Sequence, residues 1–377
     1  MESLRKAIYR SLAVASACGL FVATSMSAEM HAPESILQPE DIFALEYAND
    51  PQVSPDGETI AYVRTSMDIM TDKARKAIWL SDLDGDAHRP LLASRANFTS
   101  PRWSPRGDRL AYVSNSEGSN QIYVKWLATG DTALVSNLSK SPSHVTWSPD
   151  GRWLAFLMFV PEVMVPLASM PAKPKNADWA DPVKQIEALT YRSDGEGFLE
   201  QGQRQLFIIP AEGGTPRQLT HGAYEASGRL NWSKDGTRIY FVSHRVADWE
   251  YEPEESDIYS VVLASGEITR HTDRVGPDTN PALSPNGRYL AYTGHAARAT
   301  GYNNSELYVL DLESGASRKL SDDFDRSIEN PQWDSSGTSI WFQYEDRGTY
   351  RIASSNLKGK LAESDLRLGG TTLGRPY

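Results

Sequence analysis

The sequence predicts an all-β protein, a β-propeller of four-stranded blades with six blades present. The first observation is a turn of the type Ser-Pro-Asp-Gly, as in residues 148–151, which recurs along most of the chain. Its copies end at Gly57, Gly107, Gly151, Gly236, Gly287 and Gly337. Four intervals between these glycines measure 44 to 51 residues and one measures 85 residues. The second observation is that another hairpin follows each copy, so a unit of about fifty residues holds four strands, which is typical of a propeller blade.

Each turn consists of residues suited to a tight hairpin. In the third copy, Pro149 presets the backbone φ of the second turn position, and Gly151 takes the left-handed conformation that closes a hairpin with a bulge. Trp147 stands four positions before that glycine, and Phe156 stands five positions after it. We expect these two side chains to face each other across the hairpin, because cross-strand pairs of large apolar groups stabilise hairpins.

The strand that leaves each turn is apolar on both faces. Residues 110–113 read Leu-Ala-Tyr-Val, without the alternation of a half-exposed strand. We therefore expect such strands to pack between two neighbouring blades. Six blades can close as a six-bladed ring, or they can form an incomplete seven-bladed ring. In the second case the face without a neighbour would expose apolar surface.

The net charge and the N-terminal residues indicate which partners and which cellular location to expect. The 377 residues carry a formal net charge of −11 with acidic and basic residues interspersed, so we expect neither nucleic acid nor an anionic membrane as a partner. Residues 1–28 are typical of a secretory signal peptide, and their apolar run of about fifteen residues is short for a membrane anchor. Cleavage would remove the only cysteine, Cys18, and would leave the mature protein periplasmic or secreted.

We expect the mature chain to be one domain with an insertion. Residues 29–40 form a short lead segment, and residues 41–377 form the propeller. Residues 160–204 separate the two hairpins of the third blade, and their prolines exclude a long helix. A loop of this length in a compact domain is usually functional or disordered. We expect an ordered excursion that covers the mouth of the ring or contacts another domain; the alternative is a flexible surface insertion.

The sequence contains no constellation typical of a catalytic or metal site. A serine hydrolase of the α/β type needs the pentad Gly-x-Ser-x-Gly at a sharp turn, and this pentad is missing from the 377 residues. The seven histidines lack metal-ligand spacing, and no glycine loop suits a phosphate. We therefore predict no catalytic residue, no metal and no other cofactor.

The densest group of charged residues lies in the loop between the hairpins of the fourth blade. Residues 248–257, named the acidic loop below, contain six carboxylates and two aromatic residues. Carboxylates beside aromatic faces can hold a cation or the ammonium end of a peptide. The simpler interpretation is a solvated acidic loop. The candidate substrate-binding residues are Trp249, Glu250, Tyr251, Glu252, Glu254 and Glu255.

Two stretches of the third blade resemble a known family. Residues 191–198 and 206–220, the latter with the pair Gly213-Gly214, are similar to the propeller domain of secreted prolyl oligopeptidase-family (S9) serine peptidases. The branch that they resemble contains acylaminoacyl-peptidases and dipeptidyl-aminopeptidases. The resemblance implies a propeller that admits short peptides to a C-terminal α/β-hydrolase domain with a Ser, Asp, His triad. That domain is missing from residues 1–377, so no catalytic residue carries over and this chain is expected to be inactive alone.

Two classes of function follow. The first is the substrate-gating part of a periplasmic serine peptidase, in a truncated chain whose partner is the α/β-hydrolase domain. The second is a stand-alone periplasmic propeller that binds protein or peptide and resembles TolB. TolB-like proteins place an α/β domain before the propeller, and residues 29–40 leave no space for one, which favours the first class.

Overall fold

The computed structural model describes residues 38–163, 165, 168, 171–180, 183–298, 300 and 302–370. The predicted signal peptide with Cys18 lies outside these residues. The chain divides into two compact units, residues 1–42 and 43–377. In the described part of the first unit, the backbone N–H of Gln38 donates to Asp41 Oδ2 at 2.8 Å. No helix in the described ranges is both long enough and apolar enough to cross a bilayer.

The described part of the second unit contains six antiparallel sheets of four strands, and in five of them the four strands are consecutive in the sequence. The first blade contains Glu46–Val53, Thr59–Asp68, Lys73–Asp82 and Arg89–Leu92. The second blade contains Phe98–Trp103, Arg109–Ser114, Gln121–Trp126 and Thr132–Leu134. The third blade contains Pro142–Trp147, Trp153–Pro161, Gly202–Pro210 and Arg217–Gln218.

The remaining three blades repeat this order. The fourth contains Ala226–Trp232, Arg238–Ser243, Asp257–Val262 and Ile268–Arg270. The fifth contains Asp278–Leu283, Tyr289–Gly294, Glu306–Asp311 and Ser317–Lys319. The sixth contains Ile328–Trp333, Ser339–Asp346, Thr349–Asn356 and Leu361–Gly370. The other elements are a small hairpin and two short 3₁₀ helices: Arg192–Ser193 with Gly197–Phe198, Pro39–Ala44 and Trp249–Tyr251. The predicted all-β propeller with six four-stranded blades is confirmed.

In five of the six blades, a serine at the first position of the turn stabilises the turn through its hydroxyl. Ser148 Oγ donates to Asp150 Oδ1 at 2.6 Å and accepts the backbone N–H of Trp153 at 2.9 Å. Desolvation raises the pKa of Asp150, but the hydrogen bonds from Ser148 and Arg152 outweigh it and lower that pKa to about 2. Gly151 has φ 70°, the left-handed conformation predicted for it. The equivalent hydroxyl accepts the corresponding N–H in four other blades, at Ser54, Ser104, Ser233 and Ser284, and it donates there to Asp56, Asp108, Asp235 and Asn286 respectively.

The expected pairing of Trp147 with Phe156 is wrong. Trp147 lies opposite Leu154. The reason is that the turn is closed by a hydrogen bond from the backbone N–H of Ser148 to the carbonyl of Trp153. Phe156 instead lies opposite Phe207 on the third strand, with ring centroids 5.6 Å apart. The aromatic residue after each turn therefore stabilises the pairing of the second and third strands, as it also does in Tyr112 with Tyr123.

Buried apolar clusters join consecutive blades. One cluster lies at each boundary from the first and second blades to the fifth and sixth. In the second to fifth blades, the strand that leaves the turn is buried on both faces, as predicted. At the two ends of the series, Val53 is 57% exposed and Trp341 is 44% exposed. In the described part of the chain no such cluster joins the sixth blade to the first, which favours the open alternative over a sealed six-bladed ring.

A second hydroxyl group links the third strand to the residues that follow the fourth strand. Thr220 Oγ1 accepts the buried backbone N–H of Leu206 at 2.9 Å and donates to Gln205 Oε1 at 2.6 Å. This contact satisfies an N–H group that the short fourth strand does not reach. A hydroxyl accepts the equivalent N–H in three other blades, at Ser136, Thr272 and Ser321.

Candidate functional site

The first strands of the blades line a central channel, and each of these strands is interrupted by a β-bulge. The pairing register between first and second strands shifts once in every blade. A residue with positive φ marks each shift, and most of these residues are the types that tolerate the left-handed conformation. They are Asp50, Ser100, His144, Gly228, Asn280 and Asn330.

The channel contains a cavity of about 770 Å³. Residues from the first four blades and from the sixth line it. Its charged and amide side chains are Gln52, Arg102, His144, Arg229, Asn231, Asn330 and Gln332. No carboxylate is among the lining residues that the structure describes, although the whole chain carries a net charge of −11. The channel therefore differs in charge from the protein as a whole.

Tryptophan side chains join the first strands of neighbouring blades. The indole Nε1–H of Trp103 donates to the carbonyl of Gln52 at 2.9 Å, and that of Trp147 donates to the carbonyl of Arg102 at 2.9 Å. Trp333 makes the same contact to Ala282 at 2.9 Å. Each of these bonds joins two strands that belong to different sheets and are not otherwise paired through their backbones. Each bond therefore fixes the position of one blade relative to the preceding blade.

The fourth blade breaks this pattern. Trp232 stands at the equivalent position and is buried, but its indole Nε1–H has no acceptor among the described residues. The neighbouring Asn231 instead donates to the carbonyl of Pro281 at 2.8 Å and so contacts the following blade. An unpaired buried donor costs about 1 to 3 kcal/mol, so this irregularity has a cost.

Three basic residues set the electrostatics of the channel. Arg102 forms an ion pair with Asp50 at 2.9 Å. Loss of solvent lowers the pKa of His144, and the nearby charges of Arg102 and Arg204 lower it further, so the imidazole is uncharged at neutral pH. Desolvation followed by the charge of Arg102 also lowers the pKa of Arg229. A guanidinium nevertheless stays protonated in proteins, so Arg229 is a positive charge inside the channel.

The insertion and the acidic loop lie on the same face of the propeller, because both connect a second strand to a third strand of antiparallel sheets. The backbone N–H of Leu189, within the insertion, donates to Glu250 Oε1 at 2.9 Å. A cavity of about 510 Å³ between the two segments is lined by Trp249 and Glu250 on one side and by residues 199–204 on the other. The described part of the insertion therefore contacts the acidic loop.

The six predicted substrate-binding residues separate into two groups. Besides Glu250, the Oε2 atom of Glu255 accepts the backbone N–H of Gly276 at 2.7 Å, and the ring of Trp249 meets that of His244 edge-on with centroids 6.2 Å apart. These three side chains have contacts within the propeller. The other three are exposed to solvent on the acidic loop: Tyr251, Glu252 and Glu254. Their role in substrate binding stays a prediction.

Two buried carboxylates, the last residue of the acidic loop and one beyond it, were not among the candidates of the sequence analysis. Asp257 is 1% exposed and pairs with Arg270 at 2.7 Å, and Asp278 is fully buried against Arg274. Burial raises the pKa of Asp278 to about 6 despite the attraction of the Arg274 guanidinium. The ring of Tyr308 lies 4.4 Å from the Arg274 guanidinium carbon. These groups join the fourth blade to the fifth. Across the described ranges, no group of His, Cys, Asp and Glu side chains is arranged to hold a metal ion.

Comparison with protein families matches two models in succession. The model of the TolB beta propeller domain matches residues 58–160, and that of the dipeptidyl peptidase IV N-terminal region matches residues 172–297. The second match includes the acidic loop and most of the insertion. Together they extend from the first blade into the fifth.

Similar curated proteins include peptidases. Dipeptidyl-peptidase 5 of Porphyromonas gingivalis is 25% identical over 347 residues, which are 88% of this chain and 48% of that protein. The peptidase YuxL of Bacillus subtilis is 28% identical over 229 residues, 60% of this chain and 34% of that protein. These matches support a propeller domain of the S9 peptidase family in this chain. The chain spans about half or less of the peptidases that it matches.

Other similarities are weaker or show the fold only. TolB of Francisella tularensis subsp. tularensis is 23% identical over 290 residues, 73% of this chain and 62% of that protein. Acylaminoacyl peptidase of Pyrococcus horikoshii has the same fold as the S9-family propeller, with a TM-score of 0.64 and 18% identity over 85% of this chain and 46% of that one. Its likeness supports the fold independently of the sequence matches.

Proposed function

We propose that this propeller admits short peptides to the catalytic domain of a serine peptidase and excludes longer chains. The observation that carries the proposal is the match to dipeptidyl-peptidase 5, which extends over 88% of this chain but only 48% of that protein. An S9-family propeller that accounts for half of a peptidase leaves catalysis to the other half. Residues 1–377 lack Gly-x-Ser-x-Gly, so the proposed partner is an α/β-hydrolase domain.

The dimensions of the channel support a limit on substrate size. Its cavity of about 770 Å³ lies within the range of about 300 to 1,000 Å³ that accommodates small ligands. Such a space can hold a few residues of extended chain, whereas a folded protein cannot enter it. The insertion and the acidic loop border one face of the propeller, and we propose that they restrict access further. Short peptides are therefore the proposed substrates, and the exposed acidic residues are proposed contacts for an ammonium group.

We propose that this function is performed in the periplasm or outside the cell. The support is the pattern of residues 1–28, with a positive N-terminal end, an apolar segment and small residues near Ala28. Expression of the full chain in a bacterial host and N-terminal sequencing of the mature product would test it. We expect cleavage close to Ala28; an uncleaved chain retained in the cytoplasm would contradict export.

The gating proposal is tested first on the gene. Reading beyond the codon for Tyr377 should reveal a continuous frame with Gly-x-Ser-x-Gly, followed by Asp and His. A protein made from that frame should hydrolyse a fluorogenic dipeptide substrate but not an unfolded polypeptide. Removing residues 171–200 should relax this exclusion, and replacing the pentad serine by alanine should abolish hydrolysis. Equal hydrolysis of short and long substrates by the intact protein would refute gating.

The second candidate is a non-catalytic propeller that binds protein or peptide. The match of residues 58–160 to the TolB propeller model is the specific observation in its favour. Under this alternative the reading frame would end without a hydrolase segment, and the purified chain would bind a partner in the absence of any peptidase activity.

A further inference from the structure

The first strand of the fourth blade contains one additional residue between its bulge and the residue that closes the strand. In five blades the left-handed residue of the bulge stands three positions before the residue that closes the strand, as in His144 and Trp147. In the fourth blade Gly228 stands four positions before Trp232. Without Arg229, the fourth blade would read Ser-Gly-Leu-Asn-Trp, which matches Ser-His-Val-Thr-Trp of the third blade. Arg229 is therefore the additional residue.

This additional residue changes the local structure in two ways. It places a guanidinium among the residues that line the channel. It also accompanies the loss of the inter-blade bond, since the indole N–H of Trp232 is unpaired while three tryptophans at equivalent positions are paired. Gly228 accepts the positive φ, and an added Cβ there would lie 2.9 Å from Val242 Cγ2. The backbone of this blade thus accommodates Arg229, and the unpaired indole N–H of Trp232 lowers the stability of the fold.

The charge of Arg229 has no counter-ion in the described part of the chain. The ion pairs of the structure include Arg102 with Asp50 but none for Arg229. The charge that acts on it is the like charge of Arg102, and the described lining residues include no carboxylate. The side chain of Arg229 is exposed to solvent, and a bound anion would relieve its repulsion with Arg102.

We propose that Arg229 binds the carboxylate of a peptide that occupies the central channel. A guanidinium binds a carboxylate through two parallel N–H···O bonds. One unpaired arginine suits a single negative charge, whereas a polyanion would require several. The inference deepens the proposed function, on which it rests for the presence of a peptide, and it names acidic or free-ended peptides as the preferred class.

The carboxylate has two possible sources, the C-terminus of the peptide and an acidic side chain. The test uses the full chain and three probes: acetyl-Gly-Gly-Ala with a free carboxylate, its C-terminal amide, and acetyl-Asp-Gly-Ala amide. Dissociation constants are measured by isothermal titration calorimetry at low ionic strength. We expect the amide of the first peptide to bind about tenfold or more weakly than a carboxylate-bearing probe, which is the effect of losing a hydrogen bond to a charged group. Whichever carboxylate probe binds better identifies the source.

Variants distinguish binding by Arg229 from a general effect of charge. Arg229→Gln should abolish the preference for a carboxylate, whereas Arg229→Lys, which keeps the charge without the planar fork, should retain part of it. The matched control is Arg318→Gln, because Arg318 is exposed on the outermost strand of the fifth blade and its loss changes the net charge equally. Arg318→Gln should bind the probes as the unmodified chain does.

A deletion variant tests whether Arg229 is only structural. Removing Arg229 should restore the spacing of the other bulges, so the variant should unfold at no lower urea concentration than Arg229→Gln while losing the carboxylate preference. Retained preference in the deletion or in Arg229→Gln would overturn the inference. Equal binding of acid and amide probes would also overturn it but would leave the gating proposal intact. Absence of binding by every probe would overturn the inference and count against peptide admission as well.

Discussion

The indole bond between the second and third blades can be isolated by comparing two tryptophans. Trp147 and Trp232 stand at equivalent positions and are 7% and 8% exposed. Trp147 donates to the carbonyl of Arg102 at 2.9 Å, whereas Trp232 has no acceptor in the described ranges. Trp147→Phe and Trp232→Phe therefore remove the same ring atoms, but only the first breaks a hydrogen bond.

The expected difference follows from the geometry. Both substitutions remove similar buried apolar area, so the loss of packing is approximately shared. Trp147→Phe also removes one neutral hydrogen bond and leaves a carbonyl acceptor unpaired, which together cost about 1 to 2 kcal/mol. Phenylalanine keeps an aromatic face beneath Arg109, whose guanidinium carbon lies 4.9 Å from the centroid of the Trp147 ring, so this contact changes little. Trp232→Phe removes a donor that was already unpaired.

Urea-induced unfolding followed by far-UV circular dichroism measures this difference. We expect Trp147→Phe to be less stable than Trp232→Phe by about 1 to 2 kcal/mol, with similar dependence on urea in both variants. Equal losses would show that the indole bond contributes nothing measurable. A larger loss in Trp232→Phe would refute the account of the fourth blade as the one with an unpaired donor.

Three further predictions concern stability. Burial raises the pKa of Asp278 to about 6, so the folded protein binds this proton more strongly than the unfolded chain does. Stability should therefore fall as the pH rises from about 4 towards 6. Asp278→Asn should remove this pH dependence from the urea midpoints of unfolding measured across that range. Gly228→Ala should cost about 1 to 3 kcal/mol more than Gly57→Ala, because both have positive φ but only the first places a Cβ 2.9 Å from a valine side chain; equal urea midpoints would contradict this. Thr220→Val should destabilise by about 1 to 3 kcal/mol by leaving the N–H of Leu206 unpaired, and unchanged amide exchange at Leu206 would argue against that cause.

The repeated turn was sufficient to predict the fold from sequence. Turn residues such as Pro149 and Gly151 act locally, and their recurrence along the chain reports the number of blades. The cross-strand partner of Trp147 could not be obtained in the same way, because it depends on where the turn hydrogen bond closes. A count of positions from the glycine does not contain that information.

The channel was harder to predict than the blades. Arg229 has no unusual neighbours in the sequence, and its position inside the channel depends on a bulge that the turn pattern does not reveal. Its signal was the single additional residue between Gly228 and Trp232, visible only when the first strands of all blades are aligned. The acidic loop attracted attention by composition, yet Glu250 and Glu255 accept backbone N–H groups of the propeller itself.

The confinement of every sheet to one continuous stretch of sequence has a consequence for how the protein is made. Each four-stranded sheet pairs only with itself in the described ranges, so no strand waits for a partner from a distant part of the chain. At about 5 to 20 residues per second, a unit of about fifty residues emerges from the ribosome every few seconds, whereas a hairpin pairs in about 1 to 10 μs. The first blade can therefore acquire its complete set of strand pairings long before the sixth has been synthesised, and unpaired strand edges are exposed only briefly during synthesis.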